Sequence, residues 1–280
     1  MLVVLLALGG AMAYGVADFV GGLLSRRTSA WAVAFTAALG AGLLVLVLEP
    51  VLPGSPTTSD LLWGAVGGIG GGVGTAFLYR GLSAGRMGVV APISGVGAAV
   101  VPVLVALAAG ERPGTLVWVG IACALPGIWL VARDPRSNSV GTEGGSAGVL
   151  DGVVAGLGFG GQFAALGQVA DGSGFLPLGL NQLGAAVVIA ALALAVRAPW
   201  VPRDHAAYAG LVCGVLGLAA TGAFMLAAQQ GSLTVSSILT SLYPAFTILL
   251  AAIVLRERVL PAQGVGLALC GVAVALVAAG

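Results

Sequence analysis

Long apolar runs, separated by short polar breaks, cover almost the whole chain. A helix that crosses a bilayer needs about 20 apolar residues. Ten such runs cover residues 3–24, 31–52, 61–79, 88–109, 115–132, 149–168, 175–196, 206–228, 232–254 and 262–279. A membrane β-barrel would instead show alternating segments of about ten residues, and these runs do not alternate. The pattern therefore predicts an all-α integral membrane protein with ten transmembrane helices.

The composition agrees with this pattern and removes several kinds of site. The chain is 59% hydrophobic and 8% charged, with a mean hydropathy of +1.10, whereas a soluble domain carries about 25% charged residues. It contains no lysine, which excludes a P-loop and lysine Schiff-base chemistry. Its single histidine, His205, cannot build a metal site, and three scattered cysteines predict no disulfide framework. We therefore expect no metal and no cofactor.

The arginines fall almost entirely on one side of the predicted membrane. The loops after runs 1, 3, 5, 7 and 9 contain Arg26, Arg27, Arg80, Arg86, Arg133, Arg136, Arg197, Arg203, Arg256 and Arg258. The other side contains only Arg112. Because cytoplasmic loops are enriched in basic residues, this asymmetry predicts a multi-pass protein of the cell inner (plasma) membrane with both termini extracytoplasmic.

The two halves of the chain repeat each other. At an offset of 146 residues, Gly64, Val66, Gly68, Gly71, Thr75, Gly85, Val89, Glu111, Arg112 and Gly120 fall on identical residue types. Because each half contains an odd number of runs, the second copy lies inverted in the membrane. Inverted repeats are typical of secondary transporters, which bind substrate near the midplane between the repeats. We predict a five-helix repeat at 1–132, a flexible Gly/Ser-rich linker at 133–148 and a second repeat at 149–280.

The sequence resembles the EamA family of the drug/metabolite transporter superfamily. The resemblance rests on the five-plus-five pattern, Tyr14-Gly15 and Phe159-Gly160, the Glu-Arg pairs after the fourth run of each half, and segment 233–258. It implies a ten-helix bundle whose central cavity is lined mainly by runs 1, 3, 4, 6, 8 and 9. It also implies transport of small metabolites, often export, without ATP. By the same resemblance, Asn181 and Gln182 in run 7 are expected to be peripheral.

Asp18 is the only ionisable side chain that we expect to lie inside the membrane. It is six residues from the end of the first run, or about 9 Å deep. A carboxylate there suits a proton carrier or a partner for a cationic substrate, with Tyr14 one turn away on the same face. Alternatively, it pairs with a nearby arginine such as Arg26 or reaches the interface. Gln162 occupies nearly the equivalent place in the second half, either lining the cavity or bonding between helices.

Polar positions in the later runs complete the candidate substrate site. In run 9, Ser236, Thr240, Tyr243 and Thr247 share one helical face, which should meet either a wet cavity or other helices. In the first half only Ser94 keeps a polar group at the matching positions. Two further matched pairs complete the candidates: Thr75 with Thr221, and Tyr79 with Met225. We expect local ion pairs at Glu111-Arg112 and Glu257-Arg258, and a purely topological role for Arg80.

Two prolines, Pro102 and Pro244, are candidate hinges, since proline removes a helical hydrogen bond; the alternative is a static bend.

The function expected is secondary transport of amino acid, nucleoside or sugar-like solutes by alternating access. A passive facilitator or channel, or a non-transporting scaffold, is the alternative. With no histidine inside the runs, we do not expect an enzyme. The expected partners are a small-molecule substrate, protons as the candidate coupling ion and the lipid bilayer, with no nucleic acid. Glycine-rich faces fit a monomer or a homodimer.

Overall fold

The computed structural model describes residues 1–51, 54–84, 87–132, 142–254 and 259–280. In these ranges the fold is entirely helical, with no strand. The twelve helices are α1 (Leu2–Ser25), α2 (Ala30–Leu48), α3 (Thr58–Ser83), α4 (Met87–Ala108), α5 (Thr115–Ala132), α6 (Thr142–Leu166), α7 (Leu176–Ala195), α8 (His205–Tyr208), α9 (Gly210–Gln230), α10 (Leu233–Thr240), α11 (Tyr243–Val254) and α12 (Pro261–Ala279).

Most of these helices have the length and composition of membrane spans. Eight stretches in the described ranges are long and apolar enough to cross a bilayer, and two shorter apolar helices cover Ile93–Ala108 and Thr115–Val131. In hydrocarbon every backbone N–H and C=O must be paired within its own segment, so apolar runs of this length fold as helices. Large apolar side chains such as Leu5 and Ile253 point outward, as expected where lipid is the solvent. The predicted all-α membrane class is confirmed.

The ninth predicted run forms two helices rather than one. Ser241 and Leu242 form a turn between α10 and α11. Pro244 is the second residue of α11, where its missing N–H leaves no helical bond unmade. The predicted kink at Pro244 therefore lies beside an outright break. The second candidate hinge, Pro102, lies inside α4, which continues through it.

The centre of the chain differs from the prediction at one end. Helix α6 begins at Thr142, so the last residues of the predicted 133–148 linker are helical. The rest of that linker, 133–141, lies outside the described residues. So do other positions used in the sequence argument, namely Arg86, Arg133, Arg136, Arg256, Glu257 and Arg258.

The helix ends gather at two faces. We call the face that carries Met1 and Gly280 the terminal face; there the Ser55 N–H donates to the Gly172 carbonyl at 3.0 Å. The other, the opposite face, carries the α1–α2 turn, where Thr28 Oγ1 donates to Asp204 Oδ2 at 2.6 Å. Each of these contacts joins a segment of the first half to one of the second, so the two halves are bound together at both faces.

The helices repeat in position as well as in sequence. Helices α2, α4 and α5 begin 146 residues before α7, α10 and α12, respectively. Their contacts repeat too: α1 packs on α9 as α6 packs on α3, and α1 packs on α11 as α6 packs on α4. Helix α3 also packs on α7 as α9 packs on α2, and the large contacts of α2 with α7 and of α5 with α12 pair equivalent helices. The large contacts between the halves are therefore kept when the halves are exchanged.

Glycines allow the backbones of the two halves to approach closely. A Cβ at Gly64 in α3 would overlap the Pro177 carbonyl, and one at Gly68 would overlap the Asn181 carbonyl, both in α7. Small residues at such crossings are what membrane helices use to pack tightly, because no hydrophobic force draws helices together in lipid. Glycines of α3 in the first half thus allow it to pack directly against the backbone of α7 in the second half.

Candidate functional site

A cavity of about 80 Å³ lies between the two halves. Helices α1, α2, α3, α6, α7 and α9 surround it, and the first residue of α11 completes the wall. Its lining is Tyr14, Ala17, Asp18, Ala34, Ala37, Ala38, Gly71, Thr75, Leu78, Tyr79, Phe159, Gln162, Phe163, Gln182, Ala185, Cys213, Gly214, Gly217, Thr221 and Tyr243. The cavity is therefore a mixed surface of aromatic rings, small residues and a few polar groups.

The structure brings most of the predicted site residues to this cavity. Seven of the eleven line it: Tyr14, Asp18, Thr75, Tyr79, Gln162, Thr221 and Tyr243. The other four, Ser94, Met225, Ser236 and Thr240, are absent from the lining that the described residues form. That any of them binds a substrate stays a prediction.

The four residues outside the lining are buried in helix packing. Thr240 Oγ1 donates to the Ala7 carbonyl at 3.3 Å, so this part of the run 9 stripe meets another helix rather than the cavity. Ser94 Oγ lies 3.4 Å from the hydroxyl of Tyr243, so Ser94 contacts a residue of the cavity lining without being part of that lining. Met225 belongs to the apolar core, and the Ser236 hydroxyl has no partner among the described residues.

A hydrogen bond across the halves fixes Tyr14. Its hydroxyl lies 2.9 Å from Thr221 Oγ1. Because the Thr221 hydroxyl donates its one proton to the Gly217 carbonyl, Tyr14 must be the donor in this pair. The Tyr14 ring also lies 6.0 Å from the rings of Phe163 and Tyr243, tilted in both cases. Tyr14 is thus held at the centre of an aromatic wall.

Asp18 lies one helical turn from Tyr14 and faces the cavity. Within the described residues no hydrogen bond and no ion pair reaches its carboxylate. The acid is within electrostatic range of the hydroxyls of Tyr14, Tyr79 and Tyr243 and of the Cys213 thiol. The alternative in which Asp18 pairs with Arg26 is not what the structure shows.

Tyr79 lines the cavity near the opposite face, four residues before the end of α3. Its side chain is 4% exposed, and Cys213 lines the same cavity. A Cβ at Gly21 would overlap the Tyr79 hydroxyl, so the ring occupies a space that only glycine leaves open. Sequence reasoning did not single out Cys213, because a cysteine in an apolar run cannot be told from an ordinary core residue.

The two amide side chains of α7 lie closer to the cavity than the family resemblance implied. Gln182 lines the cavity, and Asn181 Oδ1 accepts a hydrogen bond from Gln162 Nε2 at 2.9 Å. Both residues were expected to be peripheral. Equally, α2 and α7 contribute to the lining, whereas no described residue of α4, the fourth predicted run, does so. Alanines 34, 37 and 38 carry no chemical signal, so their role depends on packing alone.

A second acid lies within the helical bundle, contrary to our expectation for Asp18. Asp151, in α6, has a side chain only 1% exposed and forms an ion pair with Arg80 of α3. Arg80 Nε donates to Asp151 Oδ1 at 3.0 Å, and the guanidinium also lies 4.3 Å from the centre of the Phe77 ring. The Arg80 side chain therefore binds the two halves to each other, a structural role beyond the topological one expected from the sequence.

Glu111 does not form the local ion pair expected with Arg112. Its Oε1 accepts from the Leu233 N–H at 2.8 Å, and its Oε2 accepts from Ser232 Oγ at 2.6 Å and from the Thr234 N–H at 3.3 Å. Burial alone would raise the pKa of Glu111, but these hydrogen bonds outweigh it and hold the pKa below its usual value. A loop of the first half therefore caps α10 of the second.

The described residues contain no group of three or more His, Cys, Asp or Glu side chains placed to hold a metal ion. The cavity offers one carboxylate, one thiol, hydroxyls and amides, groups that suit non-covalent binding of a polar solute and exchange of a proton.

Comparison with known proteins decides the family. The model of the EamA-like transporter family matches residues 1–133 and 146–279. The chain belongs to the EamA-like transporter family. The resemblance noted in the sequence is thereby confirmed, and the EamA-like protein is a multi-pass membrane protein of a transporter family rather than of an enzyme family.

Solved structures agree on the fold of the EamA-like chain. Sixteen chains match it. One, described only as a crystal structure of a protein, has a TM-score of 0.66 and 16% sequence identity, over 96% of this chain and 98% of that one. At this identity the likeness concerns the fold alone. No match is found among curated proteins.

Proposed function

We propose that the EamA-like protein is a secondary transporter of small organic solutes that works by alternating access. The observation that carries the proposal is the cavity between the two halves, lined by helices of both. We further propose that the halves, 1–132 and 149–280, are inverted five-helix repeats. The shared offset of 146 residues and the exchangeable packing pattern support this arrangement.

The size of the cavity fits a closed state in such a cycle. Its 80 Å³ is well below the ~300–1,000 Å³ of typical ligand pockets. An amino acid, nucleoside or sugar therefore needs a wider cavity than the one seen here. Contacts between the halves at both faces, Ser55 with Gly172 and Thr28 with Asp204, are those that must break in turn to widen it.

Orientation and coupling complete the proposal. The distribution of arginines supports an orientation with the terminal face outside the cytoplasm, in a plasma membrane. Asp18 is the proposed coupling site, because it is the one acid in the lining and no described group pairs with it. A broken span beside the cavity, at Ser241 and Leu242, supplies a place where α10 and α11 can move relative to each other.

Flux in proteoliposomes tests the proposal. Vesicles containing the purified protein are loaded with a labelled pool of amino acids, sugars and nucleosides, and a pH gradient is imposed. We expect saturable flux that the gradient accelerates at least fivefold in the wild type and in Asp171→Asn, an exposed matched control. In Asp18→Asn the gradient should have no effect.

Two results would contradict parts of the proposal. Saturable flux that ignores both the gradient and the Asp18 substitution would show a facilitator or exchanger without proton coupling. If no solute moves saturably, transport itself is refuted for the pool, and a scaffold role becomes the better explanation.

A further inference from the structure

The charge in the cavity lining is of one sign, negative. Asp18 is the only charged residue in its lining, and no arginine or histidine is present among the lining residues that the structure describes. Arg80, which is only half-buried, is bound to Asp151 and lies outside the lining. A solute in the cavity therefore meets one negative charge and no positive one.

The Asp18 carboxylate is also free of competing bonds. The adjacent hydroxyl of Tyr14 donates its proton to Thr221, because Thr221 donates its own to Gly217. No hydrogen bond from the described residues reaches Asp18 itself. A carboxylate away from bulk water is costly unless it is paired or protonated, so the cavity has room for a positive partner and a reason to bind one.

The rest of the wall suits the same partner. Tyr14 lies between Phe163 and Tyr243, with ring centres 6.0 Å apart in each direction. The faces of aromatic rings carry a negative potential that attracts ammonium groups within about 6 Å. An aromatic wall next to a lone carboxylate is therefore complementary to an organic cation with an apolar body.

We infer that the solute of this cavity is an organic cation, a protonated amine held by the Asp18 carboxylate against the aromatic wall formed by Tyr14, Phe163 and Tyr243. This inference rests on the transport function proposed above and narrows its substrate class. Anionic solutes are excluded by the charge of Asp18. Zwitterions bind less well, because their carboxylate finds no basic side chain in the lining.

A series of compounds that share one body and differ in charge tests the inference. Phenethylamine is cationic at neutral pH, 2-phenylethanol is neutral, 3-phenylpropionate is anionic and phenylalanine is zwitterionic. Binding of each is measured by titration calorimetry on the purified full-length protein in detergent. We expect phenethylamine to bind at least tenfold more tightly than the other three.

Variants assign this preference to Asp18. Asp18→Asn should reduce the preference for the amine over the alcohol to less than twofold, whereas Asp18→Glu and the matched control Asp171→Asn should retain it. Where Asp18→Asn does not fold, competition by tetramethylammonium on the wild-type protein replaces it, and an absence of competition overturns the inference. The inference is also overturned if 2-phenylethanol binds as tightly as phenethylamine, if either carboxylate compound binds more tightly, or if none of the four compounds binds.

The inference and the proposed function fail in distinguishable ways. Saturable flux of phenylalanine or of a sugar in preference to phenethylamine would overturn the cation site and leave the transporter intact. Tight, Asp18-dependent binding of phenethylamine without any flux would support the cation site and contradict transport.

Discussion

The ion pair of Arg80 and Asp151 shows how a single contact binds the two halves of the EamA-like protein. Asp151 is almost fully buried, and 36% of the Arg80 side chain is exposed. Removing one partner of a fully buried pair costs about 3–5 kcal/mol. Since Arg80 is partly solvated, we expect Asp151→Asn to lower the free energy of unfolding by about 1–3 kcal/mol.

A double-mutant cycle measures this pair directly. Denaturant unfolding in detergent is followed for Asp151→Asn, Arg80→Gln and the double variant, with Asp171→Asn as an exposed control. The double variant should lose less stability than the two single variants together, because the first substitution has already removed the interaction between these two side chains. Strict additivity would show that the pair contributes nothing.

Residue chemistry alone predicted part of the cavity. Asp18 and Tyr14 could be found because an acid in an apolar run is costly and because the two lie one turn apart on the same helical face. Gln182, Cys213 and the alanines of α2 could not, because their place depends on how each helix is rotated. The polar face of run 9 was expected to meet either a cavity or other helices, and the structure shows both. Tyr243 lines the cavity, whereas Thr240 bonds to another helix.

At the scale of helices, the capping of α10 by Glu111 gives a prediction about pH. Helix caps contribute about 1 kcal/mol, and we expect Glu111→Gln to destabilise the protein by about that amount at neutral pH. The hydrogen bonds hold the folded pKa of Glu111 below its ordinary value of 4.5. A depressed folded pKa means that the stabilisation is present above pH 4.5 and is lost as the pH falls through the folded pKa.

Thermal unfolding of the wild type and of Glu111→Gln measures this effect between about pH 3 and pH 7, a range that brackets the ordinary glutamate pKa of 4.5. The difference in stability should be constant in the upper part of the range and shrink as the pH falls below the ordinary pKa. Arg112→Gln is the control for local charge. A difference that stays constant at all pH values, or that Arg112→Gln reproduces, would show that the cap is not the cause.

Helix number and type were easier to predict than helix continuity. Hydrophobic runs predicted every membrane-length helix, because hydrocarbon leaves no alternative for an unpaired backbone. Pro244 indicated a bend in the ninth run, and the structure has a full break at Ser241 and Leu242, just before the proline. Proline removes the helical bond to the carbonyl four residues earlier, which accounts for a break there, but the sequence does not distinguish a break from a bend. The position of Pro244 in the first turn of α11 shows the same residue acting as a helix start.

For the whole molecule, the repeat is the feature that sequence and structure share most fully. The same offset of 146 residues relates residue identities and the starts of three helix pairs. The cavity is less symmetric than the scaffold: its acid is in α1, and its amides are in α6 and α7. Symmetry of packing with asymmetry of chemistry is what the alternating-access proposal requires, since under it the scaffold adopts two mirrored states while one solute is recognised.

Alternating access makes a prediction that the native cysteines can test. Of the three cysteines, only Cys213 lines the cavity. It lies eight residues beyond the start of α8, about 12 Å from the opposite face at 1.5 Å per residue. In a Cys123→Ala, Cys270→Ala background, a membrane-impermeant thiol reagent should label Cys213 from either side of oriented vesicles, and faster from the nearer, opposite face.

A transported solute should then change the two labelling rates in opposite directions, because each molecule opens to one side at a time and the solute shifts the balance between the two states. Cys213→Ala in the same background is the control for unspecific labelling. A channel would give rates from both sides that fall together as the solute blocks the path. Labelling from a single side under every condition would contradict alternating access, and the cavity would then be a static, one-sided cleft.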